Sequence, residues 1–172
     1  MPTKKGKERF LKWLFYALLL FFCYIVQTTP GLLAIGSIQP VLVVPVCLAV
    51  AVLENELAGA IFGALAGLMW DLSASRISGF FGIILCVLCV AVSFCFLFWI
   101  RQNTVNFTLA CAVALLVAVG LDYLFNFLIF YQGGSLYLLL HTLLPMAGYT
   151  LVYCPPLFWL ARRIARRYAV EE

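Results

Sequence analysis

Charge is scarce in this sequence: 10% of its 172 residues are Asp, Glu, Lys or Arg, and only seven of them are acidic. Histidine occurs once, at His141. No H-E-x-x-H, G-x-S-x-G or phosphate-cradling glycine loop is present, and a single histidine leaves too few ligands or bases for a metal centre or a nucleophile triad. The two aspartates, Asp71 and Asp122, lie on separate apolar segments, as in intramembrane aspartyl proteases. The run AVGLD at Asp122, however, lacks the glycine immediately before the aspartate that such sites use. We expect no enzyme, metal, cofactor or nucleic-acid partner.

Long polar stretches are missing too. The connections TTPGLLAIGS, ENE, SASRIS, RQNT and QGGS are all short, so no soluble domain fits between the apolar segments. What is present is hydrophobic: 66% of the chain, against roughly 45–50% for a soluble domain. This composition is that of an integral membrane protein, since each crossing needs about 20 apolar residues.

Breakers and charges divide the chain into six apolar segments: Phe10–Val26, Ile38–Leu53, Leu57–Leu72, Gly79–Ile100, Val105–Tyr131 and Leu136–Leu160. In lipid each must satisfy its own backbone, which makes each a helix. The expected fold is an all-α polytopic membrane protein, one transmembrane domain over residues 1–172 with basic tails at 1–9 and 161–172. The first segment follows a basic start, as in a signal peptide, but no small-x-small cleavage site precedes Thr28, so it reads as a retained span. The second and third segments, at 16 residues, are about 24 Å long and short for a bilayer. They either cross or form a re-entrant hairpin. Re-entry would put Glu54 and Glu56 at membrane depth at roughly 2.5–3.5 kcal/mol each, which favours two crossings.

With six crossings and a cytoplasmic N-terminus, Lys4, Lys5, Lys7, Arg9, Lys12, Arg101, Arg162, Arg163, Arg166 and Arg167 all fall inside, and only Arg76 outside. That distribution obeys the positive-inside rule and predicts that both termini are cytoplasmic. The seven cysteines lie within or at the edges of apolar segments, where a free thiol packs as a small hydrophobe; Cys86-x-x-Cys89 has no second pair or nearby histidine to complete a zinc set.

Residues 59–71, GAIFGALAGLMWD, place Gly59, Gly63, Gly67 and Asp71 at one four-residue spacing. Small residues so arranged let helix backbones approach in lipid, or leave room for a small ligand. Asp71 then either ends its helix with solvent or Arg76 as partner, or anchors another helix, in this chain or in a partner protein. Asp122 is deeper, about 13 Å from the outer end of the fifth segment, a depth at which an ionisable group calls for a named partner. The expected partner is His141, about 9 Å below the same surface in the neighbouring sixth segment, with Asn126 one turn from Asp122 able to join. The cluster is either structural glue or a functional polar site.

The run IQPVLVVPVCLAVAVLENELAGAIFGALAGLMWDLSASRISGFFGI resembles the central signature of the rod shape-determining protein MreD family. Its features are a proline opening the second helix (Pro40), a short polar turn, a G-A-x-x-G-x-x-x-G-L-x-x-D-L stretch (Gly59 to Leu72), and glycines at the start of the fourth helix (Gly79, Gly82). Gln27 ending the first helix and the basic PPLFWLARRIARR tail are similar too. Where the family has Pro-Asp, this chain has Pro40-Val41, so among the family's recurrent acidic positions only Asp71 carries over. The resemblance implies a non-enzymatic scaffold subunit of the bacterial cell-elongation machinery in the plasma membrane. It also implies association with the bitopic protein MreC, and through it with MreB, RodA and a peptidoglycan transpeptidase, with lipid around it. The fold it implies is similar to substrate-binding subunits of energy-coupling-factor vitamin transporters, which makes such a subunit the alternative function. An outward pocket of aromatic and polar residues would point to that alternative.

Overall fold

Residues 4–29, 31, 33, 38–74, 79–128 and 144–168 are described in a computed structural model. They form six helices: α1 (Lys4–Thr28), α2 (Val43–Leu53), α3 (Glu56–Ala74), α4 (Phe80–Phe98), α5 (Thr104–Asp122) and α6 (Leu144–Arg167). A π-helical segment, Tyr123–Leu128, continues α5, and no strand occurs among the described residues. Three stretches are long and apolar enough to cross a membrane: Gly6–Thr28, Phe80–Phe98 and Thr104–Phe125. The long outer helices bury one stripe and present apolar side chains outward. In α1, Tyr16, Leu19, Leu20, Cys23 and Gln27 face in, while Phe10, Leu14, Leu18 and Phe22 face out. That is the pattern of a helix between a protein core and lipid.

The second helix departs from expectation in length and place. It begins at Val43 rather than Ile38 and runs 11 residues, about 16 Å, too short to cross alone. Ahead of it the chain from Gln39 to Leu42 is not helical, and Pro40 has no N–H to contribute to a helical turn. Pro45 falls in the first helical turn, where its missing N–H has no intrahelical partner to lose. Every residue from Val43 to Val52 is buried, and α2 packs against all five other helices. At about 16 Å its ends lie within membrane depth, where only protein groups can satisfy the backbone, and it forms the centre of the bundle.

The chain reaches α2 through non-helical backbone, buried from Pro40 to Leu42, that must find hydrogen-bond partners. Thr150 of α6 supplies one: its Oγ1 accepts the N–H of Val41 at 2.9 Å and donates to the carbonyl of Met146 at 2.7 Å. Gln27 of α1 accepts the N–H of Val43 with Oε1 at 3.3 Å.

At the other end of α2, Glu54 accepts from Lys12 Nζ at 2.7 Å and Tyr16 Oη at 2.8 Å, both on α1. Gln102, between α4 and α5, donates to the Val52 carbonyl at 2.8 Å. Phe15 of α1 stacks on Tyr168 beyond the end of α6, with ring centroids 5.4 Å apart. Lys12, Arg101 and the arginine-rich end of α6 therefore lie at one end of the bundle. The expected tails are largely helical: α1 starts at Lys4, and α6 continues past Leu160 to Arg167. Arginines are good helix formers, and cations complement a helix C-terminus.

Candidate functional site

The glycine spacing of α3 is met by the backbone of α4 running antiparallel to it. A Cβ built on Gly59 would lie 2.6 Å from Ala51 Cβ of α2 and 3.6 Å from the Cys89 carbonyl oxygen. On Gly63 it would lie 2.7 Å from the Leu85 carbonyl oxygen and 2.9 Å from Cys89 Sγ. On Gly67 it would overlap the Phe81 carbonyl and lie 2.5 Å from Gly82 Cα. Each four-residue step up α3 matches a four-residue step down α4, from Cys89 to Leu85 to Phe81. At Gly63 and Gly67 no side chain could stand so near the α4 backbone, and at Gly59 the close neighbour is Ala51 of α2, so the stripe is a surface of close helix approach within the chain, to α4 at two steps and to α2 at the third.

Asp71 occupies the next step and meets the start of α4. Its Oδ2 accepts the N–H groups of Gly79 at 2.9 Å and Gly82 at 3.3 Å, and its Oδ1 accepts that of Phe81 at 3.2 Å. The residue at the N-cap position of α4 is Gly79, at φ +91°, which has no side chain to cap with. Asp71 performs that role from the neighbouring helix, satisfying otherwise orphaned amides and placing a carboxylate at the positive end of the helix dipole. Trp70 beside it stacks on Phe81 with centroids 4.0 Å apart. Asp71 is 6% exposed. It is turned into its own bundle rather than held open toward a partner, because three amides converge on it. Arg76, its other expected partner, lies outside the described residues.

Asp122 closes the buried stripe of α5, formed by Phe107, Cys111, Ala114, Leu115, Ala118 and Val119, and is 3% exposed. It stands where α5 gives way to the π-helical turn. Such wide turns often accompany functional positions. His141 and the side chain of Asn126 lie outside the described residues, and with them the expected pairing. Of the cysteines, Cys23, Cys47, Cys89, Cys111 and Cys154 are buried as free thiols; Cys95 is exposed and Cys86 half-buried. No metal-holding cluster of His, Cys, Asp or Glu occurs among the described residues.

Sequence reasoning missed Thr150 and the Lys12–Tyr16–Glu54 cluster. Glu54 reads as a surface acid, yet its side chain is only 12% exposed and is gripped by α1. Gln27 marks a helix end in the sequence, but its role in holding α2 does not show there. A cavity of about 440 Å³ adjoins Gln27 at the end of the bundle opposite the arginines, lined by Tyr24, Gln27, Thr28, Gln39, Trp70 and Met146 among others.

No curated protein and no solved structure gives a significant match to this chain. A family model does: the signature helices α2 to α4, with their glycine ladder and capping aspartate, fall within residues 7–164, over which the chain matches the family described as rod shape-determining protein MreD. With all but its first six and last eight residues matched, the chain belongs to the MreD family.

Proposed function

We propose that the protein is a non-enzymatic membrane scaffold of the bacterial cell-elongation machinery, bound to an MreC-like bitopic protein and through it to MreB, RodA and a peptidoglycan transpeptidase. Family membership supplies the coarser statement, a membrane protein of rod shape determination. The observation that carries the finer one is how the interior polar groups are used. Asp71, Glu54, Gln27 and Thr150 each hold one helix or turn to another. A bundle fixed this way offers partners a rigid surface, as a scaffold requires. Affinity purification from mild detergent with mass spectrometry tests the reading. Recovery of cell-wall elongation proteins is the expected result, and recovery of transporter ATPases instead would overturn it.

In this reading the protein sits in the plasma membrane with both termini cytoplasmic. Support comes from the gathering of Lys12, Arg101 and the α6 arginines at one end, which the positive-inside rule assigns to the cytoplasm.

A second reading, a substrate-binding subunit of an energy-coupling-factor vitamin transporter with the corresponding fold, is favoured by one feature. The cavity beside Gln27 is lined by both aromatic and polar groups and opens at the end opposite the arginines. The same purification separates the two readings.

A further inference from the structure

At the arginine-rich end a groove of about 490 Å³ lies between the first and last helices. Phe15, Leu18 and Phe22 of α1 form one wall, Leu160 and Ile164 of α6 the other, and buried Leu19 the floor. The Phe15–Tyr168 stack closes it at one end. From Phe15 to Phe22, and likewise from Leu160 to Arg167, the walls run about 10 Å along their helix axes. Arg163 and Arg167 line the same groove, four residues apart and therefore on one face of α6. The Arg163 guanidinium lies 5.3 Å from the centroid of the Trp159 ring. Tryptophan favours the level of lipid headgroups, so this contact sets the arginine at that level. No acidic residue occurs in α6 to neutralise either guanidinium.

We infer that this groove is a binding site for an anionic phospholipid, with its phosphate on Arg163 and Arg167 and the upper part of one acyl chain along the α1–α6 walls. Two features separate it from ordinary lipid contact. The cations stand at the end of an apolar groove rather than on a smooth helix face, and basic pockets between membrane helices select acidic headgroups. Arg162 and Arg166 carry the same charge and share a neighbouring cavity with Trp159, Arg163 and Arg167, but they do not line the groove, which gives an internal control.

Purified full-length protein in neutral detergent would be titrated with dioleoyl phosphatidylglycerol or dioleoyl phosphatidylcholine, counting bound lipid by native mass spectrometry and checking helicity by circular dichroism. Phosphatidylglycerol should bind preferentially. Arg163→Gln/Arg167→Gln should weaken it by roughly 10- to 30-fold, the loss of two interactions of about 1 kcal/mol each, while Arg162→Gln/Arg166→Gln leaves it nearly intact. Leu18→Trp, which narrows the groove without touching charge, should displace both lipids. Equal losses from the two arginine pairs would reduce the effect to diffuse surface charge and overturn the site. So would binding that ignores Leu18→Trp, or the absence of headgroup preference expected if the groove instead received an apolar helix of another protein. Should the arginine variant lose helicity, Leu18→Trp and the phosphatidylcholine comparison still decide the outcome.

Discussion

The Asp71 carboxylate accepts the backbone N–H of Gly79 at 2.9 Å, so the first turn of α4 is capped by a side chain belonging to α3. Both partners are set by backbone geometry. Gly79 is at φ +91°, a conformation that suits glycine, and the glycine ladder brings α3 close enough for a short aspartate to reach. The ladder and the cap act together, since opening either would withdraw the other.

Asp71→Ala should lower stability by about 1.5–3 kcal/mol, the usual worth of hydrogen bonds to a charged group, because the buried amides of Phe81 and Gly82 lose their acceptor. Asp71→Asn, which keeps one carbonyl oxygen, should lose less. Thermal unfolding in detergent measures both. Recovery of partner proteins should fall only as far as folded protein does. An Asp71→Asn variant that is fully stable yet loses its partner would show that the carboxylate serves recognition instead.

Gly67→Ala and Gly63→Leu should disrupt the fold, since any Cβ there meets the backbone carbonyls of α4. Gly120→Ala should be neutral or stabilise by up to about 1 kcal/mol: nothing lies within 4 Å of a Cβ at that position, and alanine is the better helix former. Leu65→Ala, which trims an outward-facing side chain, should also be mild. Detergent melting points that rank these variants otherwise would place the ladder away from α4.

Lys12→Met and Glu54→Gln should each destabilise the bundle, because each leaves a largely buried charge without its counter-ion. The double variant should recover part of the loss, with an interaction energy of about 1 kcal/mol measured in a double-mutant cycle. Strictly additive losses would mean that solvent screens the pair. Tyr16→Phe should also destabilise, since it removes the second donor to Glu54.

Cysteine labelling in intact cells should reach positions 76 and 133 from outside and position 101 only after permeabilisation. Labelling of position 76 solely from the cytoplasmic side would overturn the six-crossing arrangement.

Asp122→Asn and His141→Gln should each reduce thermal stability, and their effects should be non-additive if the two side chains pair as proposed. Independent effects would separate them and leave Asp122 with another partner.

The membrane class, the six apolar segments and the alignment of Gly59, Gly63, Gly67 and Asp71 on one helix face follow from sequence, because composition and helical period act locally. The identity of the facing element does not: a stripe specifies a surface but not the helix it meets, and only packing set α4 against α3, with Asp71 over the first turn of α4. Likewise, Ile38–Leu53 reads as one short crossing helix. It is instead an 11-residue central helix preceded by non-helical backbone, too short to cross alone and held at its start by groups of α1 and α6. The hydrogen bond that satisfies that backbone joins Val41 to Thr150, 109 residues apart. No local pattern encodes such a pairing, since an ordinary threonine on an apolar helix becomes an acceptor for the backbone ahead of α2 only once the tertiary fold has buried both groups beyond the reach of water.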